Sequence, residues 1–315
     1  MKRDELKKLM VGAIASVPTP FDDAYRIDYE RMTAATEHWI QAGLVKGKSV
    51  LKPTAAMGEG PQLTEQEWGR LLETVVKAAN GRVPVMGAIH YKDTMRTIED
   101  AKRAADLGVI GLQISPPIFN LPTQDDLLRY YGAVSAAIDI GIMVYNTYWL
   151  PHGTVCPDTF RKMVDFEHLI AIKWSAPKNI AYEAIYDLVD AFNIIDNAAD
   201  PVLGHQLGAR GFLSDGISAY PSYYLELWEL LDHGRYEAAR VHWDRMIIPF
   251  RKFYAGVGEK SGSDAKIEKA MCQIMGLPLG RPRPPSISLD DAEMTELKGL
   301  MMSWNWPVPQ SAYAS

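Results

Sequence analysis

A short apolar run, a helix-length amphipathic stretch and then a glycine recur along this chain, and that alternation constrains its fold more than any other feature. Eight runs are apparent, at 13–17, 49–51, 83–89, 111–114, 142–145, 169–173, 193–195 and 212–214. Short continuous apolar runs of this kind suit strands buried on both faces. Between them, Met32, Ala35, Trp39 and Ile40 recur at helical spacing. So do Trp68, Leu71, Leu72, Val75 and Ala79, behind a capping box of Thr64 and Glu67. Gly43, Gly81, Gly108 and Gly141 stand where a helix should stop and the next strand begin. Eight strands alternating with helices predict an α/β fold, a (β/α)8 TIM barrel. A doubly wound sheet would carry a glycine-rich loop after its first strand, and Pro18-Thr19-Pro20-Phe21 is not one.

Past residue 220 the strand signal stops. The segment 223–253 reads as helical, 266–275 as another helix, 278–285 as proline-rich and irregular, and 290–304 as a last helix. The expected organisation is a barrel over 1–222 and a helical C-terminal extension over 223–315 packed on it. The end, 309–315, reads as frayed.

Composition narrows the function. A net charge of −6 argues against nucleic-acid or anionic-membrane partners. The two cysteines, Cys156 and Cys272, form no CxxC, which argues against a zinc or redox motif and suits a reducing cytoplasm. No apolar stretch reaches membrane-spanning length. The basic start, 1–8, leads into a short apolar run without a cleavage pattern, so it reads as the approach to a first strand and not as a signal peptide.

In a barrel enzyme the chemistry sits at the C-terminal ends of the strands. Lys173 closes the sixth run and Tyr145 the fifth. Burial of a lysine favours its neutral amine, which can attack a ketone to form a Schiff base, and a tyrosine beside it can shuttle protons. Lys52 also follows an apolar run, but it has no tyrosine partner in the pattern and is read as structural or solvent-facing. The remaining strand ends are bulky and largely aromatic: Met57, His90, Phe119, Tyr148, Trp149 and Trp174. Such a rim favours an apolar or aromatic partner over a sugar acid or a dicarboxylate. His90 and His152 are the candidates for additional acid–base work. The histidines are too scattered to predict a metal site.

Six markers in order resemble one family: Thr19-Pro20-Phe21, Gly58-Glu59, Gly81-Arg82-Val83-Pro84-Val85, Tyr145-Asn146, Lys173 and Gly208-Ala209-Arg210-Gly211. Over 12–275 the chain resembles the dihydrodipicolinate synthase / N-acetylneuraminate lyase family of pyruvate-type class I aldolases. The resemblance implies a cofactor-free lyase in which Lys173 forms an imine with an α-keto acid and Tyr145 moves protons. It implies that the Ala56-Met57 turn holds the keto-acid carboxylate through backbone N–H groups and that the Leu213 carbonyl lines the pocket. Phe119, Trp174, His90 and Trp149 complete the expected substrate-binding set. A homotetramer is the expected assembly.

The sequence also departs from the family pattern. Ala55-Ala56-Met57-Gly58-Glu59 lacks the turn's two hydroxyls, Phe119 stands where the synthase has a second relay tyrosine, and 147–153 contains no arginine. These losses argue against dihydrodipicolinate synthase activity itself. Aldolase and keto-acid dehydratase both remain open, since they share the imine, and so does a non-catalytic keto-acid sensor.

Overall fold

The computed structural model describes residues 1–146, 149–262 and 264–309. Helix α1 (Arg3–Leu9) precedes strand β1 (Gly12–Ser16). Then come α2 (Tyr29–Gln41), β2 (Ser49–Lys52), α3 (Glu65–Ala79), β3 (Met86–Ile89), α4 (Thr94–Asp106), β4 (Gly111–Ile114), α5 (Gln124–Ala137) and β5 (Gly141–Tyr145). The series continues with α6 (Pro157–Arg161), β6 (Leu169–Trp174), β7 (Asn193–Asn197), α7 (Pro201–Gln206), β8 (Gly211–Leu213) and α8 (Pro221–Asp232). After it come α9 (Tyr236–Lys260), α10 (Asp264–Ile274) and α11 (Asp291–Ser303).

All eight strands pair in parallel, in the order β2-β1-β8-β7-β6-β5-β4-β3. A parallel bridge between Leu51 and Val85 closes the ring. The chain is the (β/α)8 barrel that the alternation predicts. The third strand starts later than its apolar run because Pro84 has no N–H to give a ladder; its carbonyl instead accepts from the Leu51 N–H at 3.0 Å. Helix α3 begins on the expected capping box, Thr64 accepting from the Glu67 N–H and Glu67 from the Thr64 N–H.

The barrel interior is a separate apolar plug of Ile14, Val50, Met86, Met143, Ala171, Ile195 and Leu213. Leu6 and Met10, brought in by α1, complete it. The charged N-terminal segment is therefore a helix that seals the floor of the barrel. Arg3 and Lys7 tie it down by donating to the carbonyls of Phe166, Ala191 and Asp190. The eighth helix spans the expected 222/223 boundary and packs against β1. The stretch read as one helix over 223–253 is broken at Gly234, where φ is +67°, into α8 and α9. No helix among the described residues is long and apolar enough to cross a membrane.

Lys52 corrects its sequence reading in part. It is fully buried, and Nζ donates to Gln113 Oε1 at 2.5 Å. Burial, and then the charge of Lys173, depress its pKa strongly. It is a core residue and not a solvent-facing one.

Candidate active site

Side chains alternate across a strand, so residues paired in register on neighbouring parallel strands share a face. Tyr145 and Lys173 are register partners across β5 and β6. Both reach the C-terminal mouth of the barrel, where they line a cavity of about 580 Å³. Lys173 Nζ lies 3.8 Å from the centroid of the Tyr145 ring. The lysine is 8% exposed. Burial lowers its pKa to about 8, against a smaller opposing pull from Asp264 and Asp215. At pH 7 roughly one amine in ten is then neutral, against about one in three thousand for an ordinary lysine. Asn146 fixes the end of β5, its Oδ1 accepting from the Val155 N–H at 3.0 Å.

The turn after β2 lines the same cavity through Ala55, Ala56 and Met57. Its shape depends on Gly58, where a Cβ would fall 1.6 Å from the Pro53 carbonyl oxygen. Thr19 Oγ1 donates to the Gly58 carbonyl at 2.6 Å, so the loop after β1 braces the turn. Among the described residues, the N–H groups of Ala56 and Met57 donate to no other group. Two adjacent amides free at a cavity wall can hold an anion without any hydroxyl. Glu59, 1% exposed, anchors the turn from behind. Its Oε1 accepts from Lys269 Nζ at 2.6 Å and its Oε2 from the Arg283 N–H at 2.8 Å. Glu59→Gln would leave the Lys269 charge buried without its counter-charge. We expect a loss of about 3–5 kcal/mol in stability, read as a lower urea midpoint.

Leu213, Trp149 and His90 also border the cavity. The Trp149 ring packs edge-on to Tyr145 at 5.4 Å. His90 hydrogen-bonds through both ring nitrogens, at 3.3 Å to the Thr54 carbonyl and 3.4 Å to Ser115 Oγ. Burial, only partly offset by the Thr54 bond, lowers its pKa to about 4, so it is neutral at pH 7. The unfolded chain takes up this proton near pH 6.5. Between about pH 6.5 and 4 the unfolded state therefore binds more protons, and stability falls as pH drops through that window. His90 contributes up to about 3 kcal/mol of this loss. Urea titrations at pH 7 and pH 4.5 should show it, and His90→Asn should flatten it.

Two expected binding residues fall elsewhere. Trp174 is fully buried, and its Nε1 donates to the Tyr182 carbonyl at 2.9 Å. Since Lys173 points into the mouth, its strand neighbour must point away, into the layer between barrel and helices. Phe119 is 85% exposed and borders a neighbouring depression that shares Pro61, His90 and Tyr91 with the main cavity. His152 is exposed and does not line the cavity. Tyr148 lies outside the described residues.

The cavity also has walls that the sequence did not suggest. Asp215 follows β8, while Ile247, Phe250, Arg251 and Tyr254 come from α9 and Asp264 from the first residue of α10. An acidic residue two places beyond Leu213 was a readable signal. The helices gave none, because their approach to the mouth is a long-range packing result. No group of three or more His, Cys, Asp or Glu side chains among the described residues is placed to hold a metal ion.

A parallel eight-stranded barrel with a paired lysine and tyrosine in its C-terminal mouth defines a barrel enzyme. The profile of the Dihydrodipicolinate synthetase family matches residues 9–303, and the chain belongs to that family. It is a lyase of the aldolase type. A 4-hydroxy-tetrahydrodipicolinate synthase from Heliobacterium modesticaldum is 27% identical over 296 residues, covering 92% of this chain and 94% of the relative. The dihydrodipicolinate synthase of Aquifex aeolicus shares the fold with a TM-score of 0.83 at 23% identity, over 95% of this chain and 99% of that one. The chloride-inhibited enzyme of Acinetobacter baumannii, solved with pyruvate, gives 0.82 at 18% identity, over 94% and 99%.

Proposed function

We propose that this lyase works through a Schiff base between Lys173 and pyruvate or another α-keto acid, with no added cofactor. The observation that carries the reading is the register pair itself. A lysine with its pKa lowered to about 8 stands 3.8 Å from the ring of a tyrosine at the mouth of the barrel. The neutral amine attacks the keto carbon, and Tyr145 carries the proton from nitrogen to oxygen. The free amides of Ala56 and Met57 receive the substrate carboxylate, and the Leu213 carbonyl lies beside the imine. The cationic imine then withdraws electrons from the adjacent carbon. That supports aldol cleavage, its reverse, or loss of water from a hydroxylated keto acid.

Met57, Trp149, Ile247 and Phe250 on the cavity wall support an apolar or aromatic aldehyde as the second reactant. The same imine also serves a dehydratase. The assembly is proposed to be a homotetramer; Phe119 and Leu121, 85% and 63% exposed on one loop, support an association surface there. Sedimentation velocity measures it.

The test is intact-mass spectrometry after pyruvate and borohydride, with Lys173→Met as control. A reduced pyruvate adduct on the wild type alone is the expected result. No adduct with pyruvate or with longer keto acids would overturn the reading and favour a binding-only barrel.

A further inference from the structure

Forming an imine requires an acid as well as an amine, because the hydroxyl of the first adduct must leave as water. The turn has lost its hydroxyls, and His90 is held neutral by burial with both ring nitrogens already engaged, so neither supplies that proton. Two carboxyl groups border the cavity with Lys173: Asp215, just beyond β8, and Asp264, at the start of α10. They are differently engaged. Asp264 Oδ1 accepts from the Tyr254 hydroxyl at 2.5 Å. Asp215 Oδ1 is shut off from solvent and meets no hydrogen-bond partner among the described residues. The Asp215 backbone is held separately, its carbonyl accepting from the Tyr224 hydroxyl at 2.5 Å.

We propose that Asp215 is the acid that dehydrates the Lys173 adduct, and that its carboxylate then pairs with the iminium; this rests on the Schiff-base reading above. The step balances without any other reactant. Lys173 Nζ bonds to the keto carbon, and the carbonyl oxygen takes the amine proton by way of Tyr145, leaving a neutral carbinolamine. The Asp215 proton passes to the carbinolamine hydroxyl. The C–O bond breaks, water leaves with the bonding pair, and the nitrogen lone pair closes the C=N bond. One cation and one carboxylate result. Hydrolysis of the product imine runs the same transfers backwards, with the Asp215 carboxylate taking a proton from the attacking water.

The surroundings favour this role. Burial, then Asp264 and Glu268, hold the Asp215 carboxyl well above the ordinary carboxylate range, against the opposing pull of Lys173. A carboxyl shifted in that direction keeps its proton to higher pH than an ordinary aspartate, as a general acid requires. Glu268 is already engaged by the N–H groups of Gly216 and Ser218 and by the Ser218 hydroxyl, so it acts only as background charge. Tyr254 and Tyr224 face Asp215 from α9 and α8, and both phenols are held neutral, first of all by burial. Arg251 lines the cavity too, but its Nη2 donates to the carbonyls of Ala198 and Ala199.

The experiment is a rapid-quench borohydride measurement of adduct formation with pyruvate across pH, on the wild type, Asp215→Asn and Asp264→Asn. The wild-type rate should rise with pH as Lys173 deprotonates and fall again at higher pH as Asp215 does. Asp215→Asn should form the adduct about 100-fold more slowly and lack the falling limb. Asp264→Asn keeps the acid but removes the charge that reinforces its proton, so its falling limb should move to lower pH. Adduct formation at the wild-type rate in Asp215→Asn, or an unchanged falling limb in either variant, would overturn the assignment while leaving the Schiff base in place. No adduct on the wild type would overturn the Schiff base and this inference with it.

Discussion

Lys173→Met should reduce turnover by about 10⁴-fold or more, abolish the borohydride-trapped adduct, and yield a more stable protein. The first two effects follow from removing the nucleophile, since nothing else in the cavity can form the covalent intermediate. Of the other buried lysines, Lys52, Lys266 and Lys269, none borders the cavity, and Lys52 is bound to Gln113. The third effect follows from linkage. The folded state lowers the Lys173 pKa from 10.5 to about 8, while the unfolded chain keeps the ordinary value. Below pH 8 the charged amine is therefore held in the fold at a cost of up to about 3 kcal/mol. Methionine keeps most of the volume and removes that cost. The gain should be largest near pH 7 and shrink as pH rises from about 8 to 10.5, where the wild-type amine is neutral in both states. Urea titrations at pH 7 and 9.5 measure it. Equal stability of the two proteins at both values would show that the site is not strained by its lysine.

Tyr145→Phe should cost about 10²- to 10⁴-fold in turnover while leaving the fold intact. The ring that packs against Trp149 at 5.4 Å and lies under Lys173 Nζ is retained, so only the hydroxyl is lost. The diagnostic is a split between two measurements. Adduct with pyruvate should still accumulate on long incubation, because the amine is present. Its rate of formation, and the turnover that follows, should both fall. A Phe variant with wild-type rates would remove Tyr145 from the chemistry.

The barrel was legible because its signals are local. Strand length, helical spacing, the Thr64–Glu67 capping box and glycine punctuation all act within a few residues. The pairing of Lys173 with Tyr145 was legible for a related reason, since strand ends are ordered along the chain. Trp174 was misjudged because the period of two sends it to the opposite face from Lys173. Phe119, on a loop, carries no such rule, and it borders the neighbouring depression instead of the main cavity. Lys52 defied the expectation that lysines stay wet because Gln113, on β4, offers it a buried acceptor. Asp264 and Tyr254 were not legible at all. Their place at the mouth depends on how α9 and α10 lie across the barrel, a contact between residues far apart in sequence.

That last feature has a consequence for altering the enzyme. The nucleophile and its proton carriers stand on strands or directly after them, whereas Ile247, Phe250, Arg251 and Tyr254 all belong to one helix, α9. The instructions for making a bond and for choosing what to bond are thus written in separate stretches of the gene. A library confined to codons 247, 250 and 251 can search for new partner aldehydes while the imine-forming apparatus is inherited unchanged. The trapped pyruvate adduct then serves as a constant control across every member.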